Sequence, residues 1–158
     1  MDRLRVLFLC TGNAARSQMA EALLRKLSGD GVDVFSAGTH PEPMVHPVAR
    51  DVLQEQFDID PAGLRPKHMN RFAGEPFDFV ITVCDRAAET CPAFPGDPDR
   101  IHWSFEDPAI VQEGPAQRRA FETVANGLAA RLRIWMALPS IRERLEAIQK
   151  PEGRSREE

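Results

Sequence analysis

The most constraining feature of this chain is the way its first apolar run ends. Val6-Leu7-Phe8-Leu9 stops at Cys10, and a helical pattern begins near Ala14. Between them lies Cys10-Thr11-Gly12-Asn13-Ala14-Ala15-Arg16-Ser17, a thiol and a guanidinium separated by five small or polar residues. That order places a cysteine where a buried strand hands over to a helix. Helix N-termini carry unpaired N–H groups and partial positive charge, so such a loop is an anion site. The same field, with Arg16 beside it, is expected to depress the Cys10 pKa toward a thiolate at neutral pH. A buried core thiol with an unrelated surface arginine is the plainer alternative. The small Gly12, Ala14 and Ala15, the turn-forming Asn13 and the hydroxyl of Ser17 argue instead for an oxyanion cradle with a nucleophile at its floor.

Strands alternating with helices follow. The first strand covers about residues 5–10 and the first helix about 14–27, where Met19, Leu23 and Leu27 share a face. Gly29 and Gly31 break that helix; a second strand spans about 32–37, and a helix runs from about 47 to 56 with Pro47 in its first turn. Residues 77–84 carry seven apolar or β-branched positions around Asp78 and predict a third strand, with a shorter fourth over 100–104. A helix over 115–138 bears Phe121, Val124, Leu128, Leu132 and Trp135 on one stripe, Pro139 bends or ends it, and a last amphipathic stretch covers 140–149. This alternation implies an α/β fold with parallel pairing and right-handed crossovers, and a four-stranded parallel sheet in the order 2-1-3-4, flanked by helices, suits a chain of this length. Ligands in such sheets bind where strand order switches, here between strands one and three, whose ends carry Cys10 and Cys84.

At 158 residues the chain suits a single domain over 1–149, with 150–158 expected to be a disordered charged tail. A net charge of −4 with mixed signs argues against a nucleic-acid grip, and no apolar run approaches the ~20 residues a membrane span needs. The start, Met1-Asp2-Arg3-Leu4-Arg5, enters the first strand too soon for a secretion signal. Three cysteines then suggest a reducing cytoplasm.

Cys10 and Cys84 fall on neighbouring strand ends, and Cys91 follows Cys84 by seven residues. On a helix the last two lie roughly 10 Å apart by rise, whereas a disulfide needs Cα atoms about 4.4–6.8 Å apart. A bridge between them requires that stretch to unwind. On position alone, a core thiol plus an incidental surface cysteine explains the pair as well as chemistry does. No Cys-x2-Cys pair is present and the four histidines are scattered, which speaks against a metal centre.

The Cys10-x5-Arg16-Ser17 loop resembles the low-molecular-weight protein tyrosine phosphatase superfamily, which includes the thioredoxin-coupled arsenate reductases. Val83-Cys84, then Cys91-Pro92, then His102-Trp103-Ser104-Phe105-Glu106-Asp107-Pro108 look like the arsenate reductase branch. The resemblance implies that Thr11, Gly12, Asn13, Ala14, Ala15 and Arg16 hold the oxyanion and that Cys10 attacks arsenate. It makes Asp107 the general acid and Ser17 a donor to the thiolate. Cys10, Cys84 and Cys91 then pass a disulfide outward to thioredoxin or another thiol reductant, with no cofactor and phosphate as a competing anion. The alternative within the superfamily is a phosphatase working through a cysteinyl-phosphate; a redox-sensing or arsenic-binding module without turnover is a third reading. The absence of tyrosine weighs mildly against the phosphatase. Some reductases of the branch hold potassium near the loop. Asn13, Glu21 and Ser36 match three of its ligands, but Lys67 stands at the fourth, so its ammonium is expected to replace the ion and pair with Glu21. Ala15 stands where the family often has a second loop cysteine.

Overall fold

The computed structural model of the chain describes residues 3–84 and 94–149. Cys91, the stretch expected to unwind around it and the tail from Lys150 lie outside the described residues. The elements run β1 (Leu4–Cys10), α1 (Arg16–Ser28), β2 (Val32–Gly38), α2 (Pro47–Phe57), β3 (Phe79–Thr82), β4 (Asp99–His102), α3 (Pro115–Ala137) and α4 (Pro139–Gln149). Short 3₁₀ turns occupy Met69–Phe72 and Pro108–Ile110. The sheet is parallel with strand order β2-β1-β3-β4, the order expected for a chain of this length.

β1 is central and pairs along its whole length with β2, from Leu4 opposite Val32 to Cys10 opposite Gly38. Its apolar run is buried on both faces, as a parallel strand covered by helices must be. α1 is buried from Ser17 to Leu24, a wider face than the Met19–Leu23–Leu27 stripe alone, because it is wedged between the sheet and α3. α3 buries all five stripe residues, and Phe121, Leu128 and Leu132 are wholly enclosed. Pro139 does not bend α3; the helix ends at Ala137 and Pro139 opens α4.

Three boundaries differ from expectation. β3 is four residues long, not eight; at its start Asp78 turns its carboxylate back to the Arg5 N–H (2.8 Å) and to Arg144 (2.9 Å). Single ladder bonds, Asp78 N–H to Arg5 O and Val83 N–H to Leu9 O, carry the pairing one step beyond each end. β4 begins at Asp99 and stops at His102, an edge strand whose side chains are mostly exposed. α1 begins at Arg16, two residues later than the pattern suggests, since the loop before it is already committed to other bonds. Among the described residues no helix is long and apolar enough to cross a membrane.

Candidate active site

The end of β1 meets the end of β2 with no room to spare. A Cβ on Gly38 would lie 2.5 Å from the Thr11 carbonyl oxygen and 3.0 Å from Asn13 Cβ, so only glycine lets the loop pass. Beyond Gly38 the chain runs beside the loop as a strap and ties down its carbonyls. Thr39, His40, Glu42 and His46 donate their N–H groups to the carbonyls of Cys10, Thr11, Gly12 and Ala14 at 3.1, 2.8, 2.9 and 2.8 Å. Gln18 Nε2 takes the Asn13 carbonyl (3.1 Å), and the Met19 N–H takes that of Ala15 (2.9 Å). Every carbonyl from Cys10 to Ala15 therefore has a donor. In a trans peptide the N–H points opposite to the C=O, so the loop's N–H groups are turned away from their anchors. Those of Gly12, Ala14, Ala15 and Arg16 have no acceptor among the described residues. Ala15 supplies no capping side chain to consume them. The result is a nest of N–H groups at a helix N-terminus, an anion-binding concavity.

Cys10 lies at its floor, 2 % exposed. Asn13, in the left-handed region at φ 48°, directs its N–H to Cys10 Sγ at 3.2 Å. Its side-chain amide has one orientation, because Oδ1 accepts from the Lys67 N–H (2.9 Å). Nδ2 must then donate, and it does so to Ser17 Oγ (2.7 Å) and Ser36 Oγ (3.0 Å). Ser17 Oγ, already accepting, sits 2.8 Å from Cys10 Sγ with its own hydrogen left for a thiolate. Ser36 in turn donates to Glu21 Oε1 at 2.6 Å.

The pKa expectation for Cys10 is corrected here. Burial pushes the thiol above its ordinary value, and that effect outweighs Ser17, the Arg16 charge and the Asn13 N–H, which all pull it down. The loop's field acts on the sulfur as the sequence suggests, but desolvation by burial is the larger effect.

Arg16 donates from Nη1 to the Phe105 carbonyl (2.9 Å), and its Nη2 lies 3.8 Å from Asp107 Oδ2. Asp107 accepts from the Ala109 N–H through Oδ1 (3.0 Å), capping the turn Pro108–Ile110, while Oδ2 faces Arg16. Capping and facing the loop are thus divided between the two oxygens of one carboxyl. Cys84 is buried just past β3, and its Sγ is 3.3 Å from Thr11 Oγ1, so the loop touches the second thiol as well. A cleft of about 420 Å³ opens above the loop, walled by His40, Glu42, Met44 and His46 on one side and Asp107 and Ala109 on the other.

The expected Lys67–Glu21 pair does not form. Glu21 Oε2 binds Arg25 at 2.9 Å, one helical turn along α1, whereas Lys67 Nζ donates to the Arg65 carbonyl at 2.6 Å. Burial lowers the Lys67 pKa, with Glu21 opposing it from a distance. Arg25 wins because helix spacing holds it against the carboxylate. No three His, Cys, Asp or Glu side chains converge among the described residues.

The structure brings together Cys10, Ser17, Arg16 and Asp107, with Cys84 at the loop's edge. Gly38, the strap and Phe105 join them without having been singled out by the sequence. A glycine ending a strand beside a catalytic-type loop was the readable sign of the first; the others depend on tertiary contacts alone.

The whole arrangement has known counterparts. The family model described as low molecular weight phosphotyrosine protein phosphatase matches residues 5–150. An arsenate reductase of Halalkalibacterium halodurans is 36 % identical over 134 residues, covering 84 % of this chain and 95 % of that one. One of Staphylococcus aureus is 37 % identical over 118 residues, covering 75 % and 88 %. Among solved structures, an arsenate reductase in the oxidized state superposes with a TM-score of 0.70 at 27 % identity over 84 % of this chain and 96 % of that one. The thioredoxin-dependent arsenate reductase of Corynebacterium glutamicum gives 0.65 at 29 % identity, covering 86 % of this chain, which spans 62 % of that longer one. A low molecular weight protein tyrosine phosphatase from T. tengcongensis, at 23 % identity and a TM-score of 0.67 over 84 % of this chain and 97 % of that one, shares the fold.

Proposed function

This chain belongs to the low molecular weight phosphotyrosine protein phosphatase family, and we propose that it is an arsenate reductase driven by a three-cysteine relay. The observation that carries the reading is the second buried thiol: Cys84 lies against Thr11 of the very loop that holds Cys10. Hydrolysis of a phosphate ester needs no second thiol, which in a phosphatase serves only to protect Cys10 against oxidation, whereas reduction of arsenic from the +5 to the +3 state needs two electrons from a thiol pair.

The N–H nest and Arg16 hold the oxyanion, as preorganised dipoles that need no rearrangement when charge shifts. The Cys10 thiolate forms a bond to arsenic while an oxygen leaves, and Asp107 Oδ2, the oxygen free of the cap, hands that oxygen a proton. The Cys84 thiolate next attacks Cys10 Sγ. A Cys10–Cys84 disulfide forms, the S–As bond breaks, and its electron pair leaves with arsenic as arsenite. Cys91 then attacks Cys84, restoring the Cys10 thiolate and moving the disulfide to Cys84–Cys91, where an external dithiol of the thioredoxin class reduces it. Each exchange depends on thiolate fraction and access, and Ser17 is placed to favour the first thiolate. A single unit over residues 1–149, working in a reducing cytoplasm, is consistent with this chemistry.

The cleft favours one second reading. It is larger than an inorganic oxyanion fills, which suits a phosphate ester hydrolysed through a Cys10 phosphoenzyme. Measuring arsenite release and aryl phosphate hydrolysis, each with and without thioredoxin and its reductase, separates the two. Thioredoxin-dependent arsenite release that stops after one turnover in Cys91→Ser supports the relay. Aryl phosphate hydrolysis indifferent to thioredoxin, with no arsenite formed, replaces it with the phosphatase.

A further inference from the structure

We propose that Phe105 is the positioning residue for Arg16, its ring seated on a gap in α3 and its carbonyl setting the plane of the guanidinium. The inference rests on the reading above only in taking Arg16 as an oxyanion ligand.

Residues 103–107 lead from β4 to the turn Pro108–Ile110 with no regular secondary structure, yet side chains pin this segment to α3. The Arg131 guanidinium lies 5.7 Å from the Trp103 ring centroid, and Pro108 is buried. Between those anchors the Phe105 ring rests against Gly127, where an added Cβ would come within 3.1 Å of Cε1 and 3.9 Å of Cδ1. Glycine is the poorest helix former after proline, and Gly127 sits well inside a 23-residue helix. The ring it admits is a packing reason for its presence.

The carbonyl of the same residue accepts from Arg16 Nη1 at 2.9 Å. A guanidinium is planar, so one such bond at one end, with the Cδ attachment at the other, fixes its rotation. Nη1 is used. Nε has no acceptor among the described residues, and Nη2 stands 3.8 Å from Asp107 Oδ2, beyond hydrogen-bond reach. The Nε–Nη2 edge, the fork that matches two oxygens of a tetrahedral anion, is therefore the edge left for ligand. The Phe105 carbonyl decides which edge that is, and the Gly127 seat decides where the carbonyl stands. Because Asp107 lies two residues on, the same seat sets the distance between acid and arginine.

A double-mutant cycle on inorganic phosphate affinity, read by titration calorimetry, tests this without requiring turnover. Phe105→Ala is expected to weaken phosphate binding about tenfold in the native background and to do so by less than about twofold in Arg16→Lys, where no fork remains to be aimed. Phe105→Leu, which keeps an apolar anchor, restores most of the affinity. Gly127→Ala, a change that ordinarily favours a helix, is expected to weaken binding about threefold by displacing the ring, and combining it with Phe105→Leu recovers the loss. Native phosphate affinity in folded Phe105→Ala overturns the proposal. Equal weakening in both arginine backgrounds also overturns it, since Phe105 then acts on the fold and not through Arg16. If Phe105→Ala does not fold, the Gly127→Ala pair decides: unchanged affinity there rejects the seat. Absence of arsenite formation with an intact cycle rejects the reductase reading and leaves this inference standing.

Discussion

The loop after β1 and the segment after β4 face each other across one cleft but are held in opposite ways. The loop is fixed through its backbone: six successive carbonyls have donors, four of them from the strap beside it. The segment carrying Asp107 is fixed through side chains, with Trp103, Phe105 and Pro108 against α3 and Asp107 capping its own turn. An anion must be matched by several dipoles at once, and backbone bonds give that precision whatever the side chains are. Delivering a proton needs only one oxygen at one place, and side-chain packing suffices. The loop should therefore tolerate change at positions that supply only backbone and fail where a side chain does chemistry; the segment should respond in graded fashion.

The largest effect expected is at Cys10, the proposed nucleophile. Cys10→Ser should lower turnover by about 10⁴-fold or more, because a serine hydroxyl is not ionised in this site. Inorganic phosphate affinity should survive, since the nest is untouched. If Cys10→Ser loses phosphate affinity as well, the sulfur is a structural support of the loop and the backbone account of its rigidity is wrong. Next comes Asp107→Asn, expected to slow reduction by about 10²–10⁴-fold. The amide oxygen still accepts from the Ala109 N–H, so the cap and the fold should persist with Tm little changed. A native rate across the pH range would show that the carboxyl only caps its turn.

The same contrast explains what was legible in the sequence. A backbone-built loop needs small residues and turn formers, and Gly12, Asn13, Ala14 and Ala15 announce it directly. The apolar run of β1 and the α3 stripe follow from burial on two faces and on one, and the alternation of strands with helices makes the parallel pairing legible. The side-chain-built segment leaves no such trace. Nothing periodic marks Phe105 as the partner of Gly127, because the contact joins residues 22 apart through tertiary packing. The Cys10 pKa departs from the local expectation for a related reason: the helix field is readable locally, but desolvation depends on how completely the fold covers the sulfur. Lys67 was paired with Glu21 by alignment to a family site, while Arg25 holds the carboxylate by ordinary helix spacing. The start of β3 is marked by Asp78 reaching back to Arg5, which no local propensity encodes.

Gly38→Ala tests the backbone side of the comparison at a residue with no chemistry. Its Cβ would meet the Thr11 carbonyl oxygen at 2.5 Å, and neither strand end can yield without breaking the bonds of the strap. The expected outcome in denaturant titration is a loss of about 1–3 kcal/mol, the usual scale of overpacking, together with weakened phosphate binding. Stability lost with phosphate affinity intact would mean that the loop adjusts without opening its nest.

The smallest effect, and the finest test, is Ser17→Ala. The hydroxyl 2.8 Å from Cys10 Sγ favours the thiolate and partly offsets the burial that raises this thiol. Removing it should raise the thiol further, so the acidic limb of the pH–rate profile moves to higher pH. At neutral pH the rate should fall several-fold, and above the limb it should return toward the native value, because the attacking species is then fully formed in both proteins. The stability linkage has a definite sign. A thiol whose pKa is raised on folding holds its proton more tightly in the folded chain, so its contribution is complete below the ordinary thiol range. That contribution is lost as pH rises through the higher folded value. Ser17→Ala should deepen the alkaline loss relative to the native protein. A uniform drop in rate with an unmoved limb would show that Ser17 orients Asn13 within the loop and does not favour the thiolate, placing it with the backbone supports and not with the chemistry.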